Sequence, residues 1–298
     1  MRKSSLYLPD RLKAALTARA GATGRSEAEL IRDAIEAALA ADPADTAGPG
    51  RTRPEQAVPG RLVGVGVGPG EADLLTLRAV AALRRADRVL APSTAVDAVG
   101  RAEAIVRQAV PGLAVERVPF AMAPSRSARD RSVDRAAAAV AAHLQDGEEV
   151  AWITLGDPLV YSTFSAVAAG VVRRRPATVV ASVPGVMAFQ ALAARTGTVV
   201  ADERDRLVVR TALEGEDLDD DLSDKDSTVV VYKGGRRLPE LAEAAARAGR
   251  DGGAVVGELL GMPGERVGPL AGMAAGGPAS YLATVIVPAA TAAKNGQR

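Results

Sequence analysis

The sequence predicts an α/β fold, a layered body over residues 61–298 preceded by a small unit over residues 1–40 with punctuation of its own. Three observations predict it. From residue 61 onward, hydrophobic strand-like runs alternate with helix-like patterns, as α/β layers require. Residues 41–60 lack hydrophobic periodicity and are rich in Pro, Gly and Ala, which reads as a flexible linker. The first forty residues carry helix start and stop signals independent of the rest. Hydrophobic residues make up 48% of the 298, enough for a substantial core, yet aromatics are only 3%, so Ala, Val and Leu must build it.

The front unit opens with Ser4–Leu8, an alternating run ended by Pro9. A helix is expected over Pro9–Arg19, with Leu12, Ala15 and Leu16 on one face, broken by Gly21 and Gly24. Ser26 then starts a second helix, and Glu29 three residues on completes a capping box. Leu30, Ile31, Ala34, Ile35, Ala38 and Leu39 form its apolar stripe. Strand, helix, glycine turn and helix in about forty residues resembles the ribbon-helix-helix domains of small DNA-binding repressors. Such domains are obligate dimers, and one unit of this size buries too little surface to stand alone. Seven basic and five acidic residues leave a net charge of +2. Dimerisation is therefore the expected role, making the chain a homodimer. Presentation of Lys3, Ser5 and Tyr7 to DNA stands as the less favoured alternative.

In the body, Arg61–Gly70 reads as a buried strand running into a glycine-rich turn, followed by a helix over Leu74–Arg85. Strands are expected at Arg88–Pro92, Val115–Pro119, Val150–Leu155, Val179–Val183, Leu207–Arg210, Thr228–Tyr232, Ala254–Glu258 and Tyr281–Val287. An Ala-rich helix spans about Asp130–Leu144 and carries His143 as a surface residue. The acidic stretch Glu214–Asp226 reads as a solvated loop.

Composition excludes several chemistries. There is no cysteine, which rules out disulfides, thiolate metal sites and a cysteine nucleophile. A single histidine, His143, makes a Ser-His-Asp triad a poor candidate, and no metal is expected. Lys and Arg total 37 against 36 for Asp and Glu, so overall charge does not argue for a polyanionic partner. No run approaches the roughly 18 apolar residues of a membrane span, and Met1-Arg2-Lys3 precedes no apolar signal region. A cytoplasmic location without membrane contact follows as the expectation.

The glycine turn alone decides little. A dinucleotide fingerprint starting at Gly64 would need glycine at 69, which is Pro69; starting at Gly66 it would need glycine at 71, which is Glu71. No Gly-Lys-Ser/Thr follows, so it is not a P-loop. Leu155–Thr163, with Gly156-Asp157-Pro158 at the carboxyl end of a strand, lies where open α/β sheets place ligands. Asp157 could accept hydrogen bonds from a ribose or an amine, or cap a helix beginning near Leu159. Five segments then occur in order: Val65–Thr76, Val150–Thr163, Val183–Gln190, Val231–Gly234 and Met262–Val267. Over about residues 61–288 this series resembles the tetrapyrrole methylases, the class III S-adenosylmethionine methyltransferases. Thr154–Thr163, Pro184–Gln190 and Lys233–Pro239 are most similar to the precorrin-2 C-20 methylase branch.

The resemblance implies two α/β domains, 61–175 and 176–298, with S-adenosylmethionine in the cleft between them. It implies that Pro69 lines the cleft entry and that Gly156, Asp157 and Val160 hold the methionine and ribose portion. Met187, Ala188, Lys233 and Leu260 would contact the adenosine end. The implied reaction methylates a reduced tetrapyrrole at C-20, on precorrin-2 or cobalt-factor II. The alternatives are another corrin-ring or uroporphyrinogen methylase, or a regulator whose body has become a ligand sensor. Asp157 and Tyr161 are the candidates for the proton acceptor, and Arg236, Arg237 and Arg266 for holding substrate carboxylates. Two departures from the branch are Met187, where a small hydroxyl residue is frequent, and a short C-terminal part at Gly276–Pro278.

Overall fold

The computed structural model describes residues 10–40, 58–94, 98–120, 126–144, 147–213 and 217–290. The chain divides into two compact units, 1–56 and 57–298. In the first, α1 (Asp10–Thr23) and α2 (Glu27–Ala40) pack side by side. The expected ribbon at Ser4–Leu8 lies outside the described residues, as do most of the linker and the side chains of Ala34, Ile35, Ala38 and Leu39. Gly21 does not end α1; the helix continues to Thr23 and stops at Gly24, whose φ of +66° is the left-handed conformation that terminates helices. The capping box forms as expected: the Glu29 amide donates to Ser26 Oγ at 3.3 Å, and the Ser26 amide to Glu29 Oε2 at 2.9 Å.

The second unit begins with β1 (Arg61–Gly66), α3 (Leu77–Arg85), β2 (Arg88–Ser93), α4 (Arg101–Ala109), β3 (Glu116–Pro119), α5 (Arg126–His143), β4 (Glu149–Thr154), α6 (Phe164–Arg174) and β5 (Val179–Val183). These strands form one parallel sheet in the order β3-β2-β4-β1-β5. Helices cover both faces, which is why the central strands read as unbroken apolar runs. On one face Val63, Val65, Ala151 and Ile153 pack against Ala79 and Leu83 of α3 and Ile105 and Val106 of α4. On the other, Leu62, Leu90 and Trp152 pack against Val140 of α5 and Phe164 and Val167 of α6. The ring of Phe164 occupies the space beside Gly64, 2.5 Å from where a Cβ would stand, so this strand position admits no larger residue.

The remainder consists of α7 (Ala188–Thr196), β6 (Arg206–Thr211), α8 (Asp219–Ser223), β7 (Ser227–Tyr232), α9 (Leu238–Arg247), β8 (Val255–Glu258), β9 (Arg266–Pro269), α10 (Leu270–Ala274) and β10 (Thr284–Val287). Its mixed sheet runs β6-β7-β10-β8-β9, with only β6 and β7 parallel. One face is covered by α8, α9 and α10 through Leu222, Leu238, Leu241 and Leu270. The other packs Val230 and Ile286 against Phe189 and Leu192 of α7.

Three further expectations are corrected. The boundary placed at 175/176 moves beyond β5, because Val179–Val183 pairs with β1 in the first sheet. The helix expected from Leu74 starts at Leu77, where Thr76 Oγ1 accepts the Ala79 amide at 3.0 Å; residues 72–74 form a single tight turn instead. Within the acidic stretch, α8 is a helical turn rather than a loop: Leu218 and Leu222, four residues apart, are both buried. Its carboxylates pair outward, Asp221 with Arg210 and Asp219 with Arg247. His143 lies at the surface as expected, partly exposed, with Nε2 3.0 Å from Glu116 Oε1.

Candidate active site at the strand ends

Three strands of the first sheet end together, and glycine is what lets them. A Cβ on Gly66 would stand 2.5 Å from the Gly156 carbonyl oxygen, and one on Gly185 would stand 2.1 Å from the same atom. The turns are tied by backbone: the Val67 amide donates to Thr154 O at 3.0 Å and the Gly156 amide to Gly68 O at 2.8 Å. Asp157 locks the arrangement, its Oδ1 accepting from the Leu159 amide at 2.8 Å and its Oδ2 from the Gly185 amide at 3.1 Å. The carboxylate therefore caps a turn and not a helix; α6 begins five residues later than Leu159, where Ser162 Oγ accepts the Phe164 amide at 3.1 Å. Gly156 itself has a φ of +64° and open space where its Cβ would lie, so bare backbone faces the cleft there.

The second sheet supplies the facing wall. Gly70 and Gly261 interlock: a Cβ on Gly70 would meet Leu260 O at 1.9 Å, and one on Gly261 would meet the Glu71 amide nitrogen at 2.6 Å. This brings buried Pro69 and buried Leu260 to one place. Leu260 shares a cluster with Phe189, partly buried Met187 and Ala188, and Tyr232. Gln190 Oε1 accepts from the Met187 amide at 2.9 Å, the return arm of a capping box at the start of α7.

Tyr161 crosses between the halves. Its hydroxyl donates to Val209 O on β6 at 2.7 Å, its ring meets Tyr232 edge-on at 6.2 Å, and its carbonyl accepts from Lys233 Nζ at 3.3 Å. Tyr161 and Lys233 both have left-handed φ, +48° and +60°. Burial pushes the Lys233 ammonium below its ordinary pKa, and the Arg129 charge lowers it further. Burial pushes the Tyr232 phenol up to about 12, against the Phe189 amide that donates to its oxygen, so it stays neutral. Lys233 Nζ lies 6.0 Å from the centre of the Tyr281 ring. Tyr281 is also raised by burial, opposed by the charges of Arg129 and Arg236.

The structure thus links Asp157 to Gly185 beside Gly156, sets Pro69 next to Leu260 through the Gly70–Gly261 approach, groups Leu260 with Met187 and Ala188, and joins Lys233 to Tyr161, with Val160 on the exposed turn beside Tyr161. The three candidate arginines separate. Arg236 is exposed and acts on Tyr281. Arg237 instead pairs with Glu240 at 2.7 Å and donates to Leu213 O, and Arg266 pairs with buried Glu258. Arg129, Tyr232 and Tyr281 escaped the sequence reading; only Tyr232, inside a quoted motif, carried any signal.

Residues 61–273 match the family model described as Tetrapyrrole (Corrin/Porphyrin) Methylases. The chain belongs to this family. Its methylase body is 33% identical over 201 residues to the precorrin-2 C(20)-methyltransferase of a Sinorhizobium species, covering 64% of this chain and 80% of that one. It is 31% identical over 210 residues to the cobalt-precorrin-2 C(20)-methyltransferase of Salmonella typhimurium, covering 70% and 86%. Among solved structures, a cobalt precorrin-4 methyltransferase superposes with a TM-score of 0.58 at 21% identity, over 76% of this chain and 94% of that one. Uroporphyrin-III C-methyltransferase from Thermus thermophilus, in complex with S-adenosylhomocysteine, superposes with a TM-score of 0.52 at 26% identity, over 76% and 97%. Ahead of the methylase body, residues 5–42 match the ribbon-helix-helix, copG family model. Among the described residues no helix is long and apolar enough to cross a membrane.

Proposed function

We propose that this methylase transfers a methyl group from S-adenosylmethionine to a reduced tetrapyrrole during corrin synthesis, at C-20 of precorrin-2 or its cobalt-bearing counterpart. The observation that carries this reading is the likeness to C-20 methyltransferases at about a third identity, within a body that matches the family model. The cleft fits the cofactor: at Gly156 bare backbone faces open space, so a ligand can lie against the chain without meeting a side chain. In this reading Gly156, Asp157 and Val160 hold the methionine and ribose portion, Pro69 lines the entry, and Met187, Ala188, Lys233 and Leu260 hold the adenosine end. When bound, S-adenosylmethionine supplies a methyl group already activated by its sulfonium.

The protein's part is to orient and to exclude water. Asp157 spends both oxygens on the turns beside Gly156 and Gly185, and Tyr161 spends its proton on Val209 O. Both therefore serve as positioning residues, and neither is poised as a base. Arg236, with Lys233 and Arg129 acting on the same Tyr281 region, is the arginine suited to a substrate carboxylate; Arg237 and Arg266 already hold protein carboxylates.

The ribbon-helix-helix match favours a second element of the reading, a cytoplasmic homodimer joined through residues 1–40. Leu16, Leu30 and Ile31 are only half-buried within one copy, leaving apolar surface for another. A sensor that binds DNA through this unit is the competing reading. Anaerobic incubation with precorrin-2 and S-adenosylmethionine, followed by mass analysis of the tetrapyrrole, decides between them. One added methyl supports the enzyme; cofactor binding without transfer to metal-free or cobalt-loaded substrate overturns the C-20 assignment.

A further inference from the structure

We propose that Arg195, through a clasp with Glu71 and Glu265, is a positioning residue for the cofactor cleft; this rests on the cleft being the S-adenosylmethionine site. Arg195 lies on α7 in the second half of the methylase body. Its Nη2 is 2.8 Å from Glu71 Oε1, on the turn leaving β1 in the first half. Its Nε is 2.7 Å from Glu265 Oε1, in the β8–β9 connection, and Nη1 donates to Ala191 O at 3.2 Å. Glu265 Oε2 in turn accepts from the Gly261 amide. One guanidinium therefore ties together the turn that carries Pro69 and the turn that carries Leu260.

Those two turns also touch through Met262, which packs against the apolar cluster of the first sheet. They meet backbone to backbone at Gly70 and Gly261, the only residue type that allows so close an approach. Contact of that kind buries little apolar surface and resists sliding weakly. A planar fork bridging two carboxylates supplies the missing directionality. Burial alone would weaken the Arg195 charge, but the hydrogen bonds it donates to Glu265 and Glu71 outweigh it and raise its pKa above the ordinary arginine value. The side chains of Arg195, Glu265 and Glu71 retain 21%, 30% and 42% exposure, so the pairs add little to global stability. Their effect falls on the relative placement of the two turns, and so on the ligand between them.

The test is calorimetric titration of the full chain with S-adenosylhomocysteine, comparing the parent with Glu71→Gln, Arg195→Met, Arg195→Lys and the Glu71→Gln/Arg195→Met double variant. Glu71→Gln is isosteric and partly exposed, so it keeps the fold testable. The clasp predicts roughly tenfold weaker binding in Glu71→Gln and Arg195→Met, a smaller loss in Arg195→Lys, and a double variant no worse than the worse single one. Melting temperature and the KM for tetrapyrrole stay at parental values. Binding within about twofold of the parent in both single variants, or losses that add independently in the double, overturns the clasp while leaving the cofactor site intact. A parent that does not bind S-adenosylhomocysteine overturns the functional reading, and the clasp with it.

Discussion

At the scale of the residue, the cleft is defined by glycines that do different jobs. Gly66 and Gly185 are held by sterics, since a methyl group on either would collide with the Gly156 carbonyl. Gly156 is held by conformation alone: its Cβ position is open, but its φ is +64°. Gly156→Ala should therefore fold, with a strain cost of about 1–2 kcal/mol, and should bind S-adenosylhomocysteine more weakly than that strain accounts for, because the methyl group fills the cradle. Gly66→Ala should lose far more stability. Thermal melts beside calorimetry separate the two; equal stability losses in both variants would refute the distinction. Tyr161→Phe removes one hydrogen bond to Val209 O and should cost about 1 kcal/mol while leaving the ring contact with Tyr232 in place.

At the scale of the element, two buried charges fasten secondary structure rather than chemistry. Glu103 on α4 has a fully buried side chain that accepts from Arg117 of β3 at 2.7 Å and from Arg107 at 2.8 Å. The Arg117 hydrogen bond holds its pKa below the ordinary 4.5, against the opposing effect of burial. A depressed folded pKa means this stabilisation is present above about pH 4.5 and is lost as pH falls through the folded value. Glu103→Gln should cost about 3 kcal/mol at neutral pH, and denaturant titrations should show the gap to the parent shrinking in acid. Arg250 is buried among backbone carbonyls, donating to Leu222 O at 2.9 Å, Asp224 O at 3.0 Å, Val287 O at 3.1 Å and Pro288 O at 3.0 Å, and also to Ser227 O. Arg250→Met should cost at least about 3 kcal/mol, since it leaves several acceptors without a donor.

At the scale of the whole molecule, the halves of the methylase body share the Tyr161 strap, the Gly70–Gly261 contact and the Arg195 clasp. The single tryptophan, Trp152, sits fully buried in the first sheet and reports on that half alone. In a chain beginning at Ala57, unfolding followed by its fluorescence and by far-ultraviolet circular dichroism should coincide in one transition. A fluorescence transition well separated from the circular dichroism transition would show that the straps do not couple the halves. The front unit is a separate compact unit, so a chain beginning at Ala57 should keep its cofactor affinity. Loss of dimerisation in that chain, read by sedimentation, is the outcome expected of the ribbon-helix-helix unit.

Local sequence determined a good deal of this protein: the buried parallel strands, the Ser26–Glu29 cap, and the glycine and Gly-Asp-Pro turns that mark the cleft. These are written in periods of a few residues and in residue types with few alternative conformations, so one chain suffices to read them. Tertiary structure decided the rest. The edge strand β5 joined the first sheet because β1 offered an open edge, which placed the domain boundary later than the 175/176 expected from the resemblance. Leu218 and Leu222 drew an acidic segment onto the second core despite its charge, and Glu240 and Glu258 claimed two arginines expected to hold substrate. The partners that Tyr161 and Arg195 find in the opposite half, Val209 and Glu71, lie 48 and 124 residues away, and no local pattern encodes a contact at that separation. Such pairs come into being only when two separately formed sheets face each other, and it is there that this cleft acquires its geometry.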